Sequence, residues 1–230
     1  MQNNKNNPYI KIVKNGPYLV SGNVPLTEKI ILSHGRAYKY KEGRSLPQSE
    51  TYSLCRCGKS TNAPFCDNTH ERIGFIGTET ASNSKYNDRA DLIEGPGVNL
   101  LDDDRCAFAR FCHREKGSAW ELTENSYNED LTSEAIKAAS ACPSGRLVAL
   151  DKNGQKIEPI YEPAIEIIQD PERGASGGIF VKGNIPLESC EGFMYEKQNR
   201  YALCRCGRSS NKPFCDATHI PLGFNDKSNK

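Results

Sequence analysis

Residues 55–70 and 204–219 are two copies of one sixteen-residue window, identical at 12 of 16 positions and sharing the spacing Cys-x-Cys-x8-Cys-x3-His. Three thiols and one imidazole at fixed spacing are a metal-ligand set. A chain that builds the set twice must fold so that each loop closes on its own metal. Donors in this ratio suit zinc or an iron–sulfur cluster and little else.

The repeat extends beyond the ligands. Residues 18–26 (YLVSGNVPL) match 179–187 (IFVKGNIPL), and 70–75 match 219–224. Gly22 lies 33 residues before Cys55, whereas Gly183 lies 21 before Cys204, so the first copy carries about twelve more residues, read as a longer hairpin or loop around 33–49. The segments 9–13, 18–20, 30–32, 52–54, 179–181 and 201–203 are short, alternating and rich in aromatic and β-branched residues, which predicts strands. Asp67 and Asp216 follow the third cysteine directly, and aspartate is a favoured N-cap, so a short helix is expected to begin there and carry His70 or His219. Each unit is too small for a sizeable core, and two packed together bury more surface than either alone.

Between the copies the composition changes. Residues 78–91 are polar and read as a linker; then come Cys106-x5-Cys112 and, thirty residues on, Cys142-Pro143. Thr132 is placed to cap a helix running to about residue 141, with Ala135, Ile136, Ala138 and Ala139 on its inner side. Residues 159–177 hold three prolines and a Gly/Ser cluster and suit a return linker. The expected domains are 1–78, 92–160 and 176–230.

Composition excludes several classes. With 30 basic against 29 acidic residues the net charge is +1, which gives no electrostatic case for nucleic acid or an anionic membrane surface. The polar start lacks an apolar signal region, and no stretch reaches the roughly 18 to 20 apolar residues that span a bilayer. Ten cysteines without a signal read as reduced metal ligands in the cytoplasm. No phosphate-binding glycine loop, Ser/His/Asp arrangement or carboxylate pair of catalytic spacing is present, which argues for a carrier rather than an enzyme.

Both windows resemble the signature of the CDGSH iron–sulfur proteins, Cys-x-Cys-x2-Ser-x3-Pro-x-Cys-Asp-x-(Ser/Ala/Thr)-His, with Ser60 and Ser209 at the family's serine and Asn68 and Ala217 in place of its glycine. The resemblance implies two [2Fe–2S] clusters, one held by Cys55, Cys57, Cys66 and His70 and the other by Cys204, Cys206, Cys215 and His219. Single-motif members pair as homodimers. This chain is similar to the two-motif members, which implies an α+β fold in which two β-rich units form an intramolecular pseudo-dimer. The middle segment resembles the divergent single-cluster ferredoxin domain, a three-part arrangement that argues for a bacterial origin. Ala109 stands where a bacterial-type ferredoxin would have a further cysteine, so Cys106, Cys112 and Cys142 are candidates for a third cluster. That cluster would be [3Fe–4S], or [4Fe–4S] with a non-cysteine ligand such as His113. Ordinary buried cysteines and a solvated histidine are the plainer reading.

A neutral imidazole in place of one thiolate makes reduction easier than in an all-cysteine cluster, and its protonation near neutral pH makes the site acid-labile. The expected roles are electron transfer, cluster transfer or redox sensing, with a redox or cluster-acceptor protein as partner. The expected form is a monomer of internal pseudo-two-fold symmetry, with no nucleic acid and no membrane. A structural Cys3His zinc module mediating protein contacts stays open as the alternative. Cys190 reads as a small hydrophobe, His34 as a turn residue, Trp120 as core of the middle domain, and Arg56 and Arg205 as either solvated charges or donors to the cluster.

Overall fold

The computed structural model describes residues 7–227. Its first repeat opens with β1 (Tyr9–Ile12) and β2 (Tyr18–Ser21), an antiparallel pair whose alternation buries Ile10, Ile12, Tyr18 and Val20 completely. The strand expected over 9–13 stops at Ile12, because the Val13 carbonyl is used in a turn that accepts from Gly16 N at 2.9 Å. The extra residues of this copy form a hairpin of β3 (Leu26–His34) and β4 (Ala37–Glu42), which takes in the expected 30–32 strand. β5 (Thr51–Leu54) then delivers Cys55, and α1 (Thr69–Arg72) carries His70.

The middle segment holds α2 (Tyr86–Arg89), β6 (Asp91–Ile93), β7 (Asn99–Asp102), β8 (His113–Arg114), β9 (Gly117–Ser118), α3 (Ala119–Glu124), α4 (Glu129–Ser140), β10 (Leu147–Leu150) and β11 (Lys156–Ile157). One sheet, ordered β11-β10-β7-β6, packs on α3 and α4 through Leu100, Leu122, Ala135, Ala138, Ala139 and Leu147. The alanines of α4 face this core as expected. The helix starts earlier than Thr132, because Asn128 accepts from Leu131 N at 3.0 Å and caps it, while Thr132 Oγ1 donates to Ser126 O. The polar 78–91 stretch is partly structured: it contains α2, and Thr80 N and Ala81 N both donate to Lys212 O at 2.8 Å.

Residues 159–177 are not a linker. They hold β12 (Ala164–Asp170), buried from Ile165 onward, and begin β13 (Ala175–Lys182). Pro163 and Pro171 bound β12 rather than break it, since proline is tolerated at the ends of a strand and not within its ladder. β14 (Leu187–Glu188) and β15 (Arg200–Leu203) complete the second repeat.

The two remaining large sheets exchange strands. One runs β14-β1-β2-β5 and the other β15-β13-β12-β3-β4. Ile10 pairs in parallel with Leu187, and Leu26 in parallel with Ile165. Each repeat therefore lends the other the strand that follows its Gly-Asn turn. Ile10, Ile12, Tyr18, Val20 and Leu54 share one apolar core with Ile165, Ile167, Ile179, Val181 and Leu203. The fold is mixed α and β, built of small sheets and few helices. Among the described residues no helix is long and apolar enough to cross a membrane.

Candidate metal centres

In each repeat the last strand runs into a loop closed by backbone bonds across it. Cys55 N donates to Pro64 O at 2.8 Å and Cys66 N to Ser53 O at 2.9 Å; Cys204 N to Pro213 O and Cys215 N to Ala202 O repeat them at 2.8 and 2.9 Å. Ser60 and Ser209 brace the loops by donating to Phe65 O and Phe214 O. Asp67 and Asp216 accept from Thr61 and Thr69, and from Ser210 and Thr218.

These aspartates are not the expected N-caps. Asn68 (φ 62°) and Ala217 (φ 67°) stand between each aspartate and its histidine in the left-handed region. The carboxylates reach the amide two residues on, as turn-forming aspartates do. The first repeat still makes a one-turn helix with Asn68 at its cap; the second makes only a turn.

The donors are brought together in pairs. Cys55 Sγ and Cys57 Sγ stand 3.7 Å apart, and Cys66 Sγ is 3.4 Å from His70 Nδ1. Cys204 and Cys206 sulfurs are 3.6 Å apart, and Cys215 Sγ is 3.4 Å from His219 Nδ1. Two donors on one tetrahedral metal, at about 2.3 Å for sulfur and 2.0–2.1 Å for nitrogen, stand about 3.5–3.8 Å apart. Among the described residues no three His, Cys, Asp or Glu side chains converge on a single ion position.

The thiol of Cys57, and amides of Ser60, Gly58 and Lys59, bond the Cys55 sulfur and hold it down to about 6 despite burial. Cys204 is held to about 6 in the same way by Cys206, Ser209 and Gly207. In each pair the neighbouring thiol and the loop amides favour the thiolate of the first cysteine, the form that takes a cation. Burial pushes Cys66 and Cys215 up. Cys215 is 3% exposed, whereas Cys66 is part-exposed. Burial, and then Arg205, lower His219 to about 4, which keeps its imidazole neutral.

Arg56 and Arg205 are neither solvated nor donors to sulfur. They are buried and bond backbone carbonyls behind the loop: Arg56 Nε to Gly16 O and Arg205 Nε to Gly177 O, both at 2.8 Å. Asp226, which accepts from Arg205, was not singled out in the sequence, where a lone aspartate seven residues past His219 gives no signal.

All ten cysteines are free. Around Cys106 the chain curls through left-handed residues at Asp104, Phe108 and Arg110, and Phe108 N donates to Cys106 Sγ at 3.3 Å. Cys142 Sγ lies 3.3 Å from Ser144 Oγ. Burial, and then the charges of Cys142 and Cys106, push Cys112 up to about 12, so Cys112 lies within electrostatic reach of both. Ala109 is buried against Phe111 and Cys215, and His113 sits exposed on β8. Trp120 packs against the middle core and donates to Asp102 at 2.9 Å; Cys190 packs, half-buried, against the main core; His34 is exposed at the β3–β4 turn.

Residues 15–71 and 176–220 match the family described as iron-binding zinc finger CDGSH type, and residues 93–152 match the one described as divergent 4Fe-4S mono-cluster. Neither the curated proteins nor the solved structures compared gave a match. These matches support an iron–sulfur protein. It is a CDGSH iron–sulfur domain-containing protein in which two such regions flank a divergent 4Fe-4S region.

Proposed function

We propose that each repeat holds a [2Fe–2S] cluster, the first through Cys55, Cys57, Cys66 and His70 and the second through Cys204, Cys206, Cys215 and His219. The protein serves as a carrier of electrons or of clusters rather than as an enzyme. The observation that carries this is the two-plus-two pairing of donors: sulfur pairs at 3.7 and 3.6 Å and sulfur–nitrogen pairs at 3.4 Å. A single zinc needs all four donors around one point; a binuclear cluster takes two on each metal.

When bound, such a cluster supplies one-electron chemistry. The chain supplies the rest. The thiols of Cys57 and Cys206, and then loop amides, favour the thiolates of Cys55 and Cys204, and burial favours a neutral His219. Ser60 and Ser209 hold the Phe65 and Phe214 carbonyls, and the two rings anchor the loops on the main core. The reciprocal pairing of Ile10 with Leu187 and of Leu26 with Ile165 supports an intramolecular pseudo-dimer, which needs no second copy. Cys106, Cys112 and Cys142 are proposed to hold a third cluster, [4Fe–4S] or [3Fe–4S], the first two from the 104–112 segment with its left-handed turns and the third from just beyond α4. A cytoplasmic location suits ten unpaired thiols. The partner is proposed to be a redox or cluster-acceptor protein that meets the part-exposed Cys66.

The test is a visible spectrum with iron, sulfide and zinc analysis on anaerobically purified protein. A red-brown protein with about two irons and two sulfides per outer site supports the reading, and any excess belongs to the middle cysteines. A colourless protein with about two zincs and no labile sulfide overturns it in favour of a structural zinc module.

A further inference from the structure

Each repeat buries an arginine between its first two cysteines, Arg56 at 1% and Arg205 at 3% exposure, but only one of them is neutralised. Arg56 donates to three carbonyls: Gly16 O at 2.8 Å, Gly77 O at 2.9 Å and Val13 O at 3.2 Å. Its guanidinium otherwise lies over the Tyr18 and Phe75 rings. Among the described residues no carboxylate comes within 4.0 Å of it; Glu79 on that side accepts from Tyr195 and from Cys190 N. Arg205 keeps the equivalent backbone contacts, to Gly177 O at 2.8 Å and Ile168 O at 2.7 Å. Its remaining nitrogen meets Asp226 Oδ2 at 2.5 Å, inside the protein.

The difference is built into matching positions. Gly74-Phe75-Ile76-Gly77 aligns with Gly223-Phe224-Asn225-Asp226, so Asp226 stands where the first repeat has Gly77. A Cβ at Gly77 would fall 2.3 Å from Arg56 Nη2, so the guanidinium occupies the space where the second repeat has its counter-ion. The other charges reinforce the contrast. By the first site, the Glu71 carboxylate stands 3.8 Å from His70 Nε2, but its side chain is 74% exposed and well screened. By the second, the Cys106 sulfur lies within electrostatic range of Cys215, and Asp170 is already paired with Arg110 at 2.6 Å.

A one-electron reduction, with dithionite as the donor, converts one ferric ion of a [2Fe–2S] site to ferrous, breaks no bond and adds one negative charge. A buried cation stabilises that charge, an ion pair much less so, and deeper burial opposes it. Resting on the cluster reading above, we propose that the two outer sites are inequivalent. The first repeat, with Arg56 unneutralised, has the higher potential and holds the electron when the outer sites share only one. Arg56 and Asp226 are positioning residues that set this order.

The experiment is an anaerobic dithionite titration of the whole protein followed by electron paramagnetic resonance. Two separate one-electron waves are expected from the outer sites. His70→Cys should shift only the upper wave downward, and His219→Cys only the lower one. Asp226→Asn should move the lower wave up toward the upper and leave the upper in place. A single wave for both outer sites, a lower wave that moves with His70→Cys, or a lower wave indifferent to Asp226→Asn overturns the proposal. Should Asp226→Asn fail to fold, the assignment by the two histidine variants decides alone. Protein without labile sulfide overturns the cluster reading itself, a failure that chemical analysis separates from the other outcomes.

Discussion

Gly58 faces the backbone of Cys206 so closely that a Cβ on it would lie 2.6 Å from the Cys206 carbonyl oxygen; Gly207 stands in the same relation to Cys57. The two metal loops touch through this reciprocal pair, and both glycines have left-handed backbone, φ 74° and 77°. Gly58→Ala or Gly207→Ala adds the conformational cost to a backbone collision. Each should destabilise the protein by at least about 1–2 kcal/mol, read as a lower urea midpoint.

Ala217 occupies a left-handed position (φ 67°) where the first repeat has Asn68. Asparagine tolerates that region and alanine does not. Ala217→Gly should therefore stabilise by about 0.5–1 kcal/mol, the relief of strain exceeding the added unfolded-state entropy, whereas Asn68→Gly should change little. Urea melts of the two variants side by side check the contrast.

Tyr18 reaches from the first repeat to the second, its hydroxyl near Cys204 O at 2.8 Å and Pro213 O at 3.1 Å, fully buried. Ile179 takes its place in the other copy, so the bond has no counterpart. Tyr18→Phe leaves the Cys204 loop without its donor and should cost about 1–2 kcal/mol. Hydrogen exchange should also be faster in the 204–215 loop than in 55–66.

Burial alone would raise the Asp102 carboxyl, but the Arg146 guanidinium, the Asp104 amide and the Trp120 indole N–H outweigh it and hold it below the usual range. A carboxyl depressed in the folded state adds stability above its unfolded value of about 3.9, and that stability is lost as pH falls below it. Trp120 is the single tryptophan, and its indole bonds this carboxylate at 2.9 Å. Its fluorescence should hold steady from pH 7 to about pH 4 and change below. Asp102→Asn should remove that acid-dependent part of the stability.

The repeated windows, the short strands and an insertion of hairpin or loop around 33–49 were legible because each has a local pattern, though the hairpin itself runs over 26–42. What escaped has none. β14 is two residues long, and β12 lies in a proline-flanked stretch that looks like a linker. Its match to the first strand, Ile165-Glu166-Ile167 against Ile10-Lys11-Ile12, is too short to register before the fold pairs them. The caps moved for a related reason. A left-handed residue after each aspartate is a property of the closed loop, and neither Asn68 nor Ala217 announces it. The arginines were visible, but their surroundings depend on Gly77 and Asp226, which only the fold brings near them.

The exchange of strands sets the order in which the molecule can be finished on the ribosome. Ile10 is made 177 residues ahead of its neighbour Leu187. At roughly 5–20 residues per second the wait is on the order of ten to forty seconds. During that time β3 also has an open edge, since Ile165 has not been made. The β3–β4 hairpin is dense in charge, with Glu28, Lys29, Lys39, Lys41 and Glu42, the kind of edge that deters pairing with another nascent chain. A chain severed between its repeats would leave two pieces that complete each other only when they are made together.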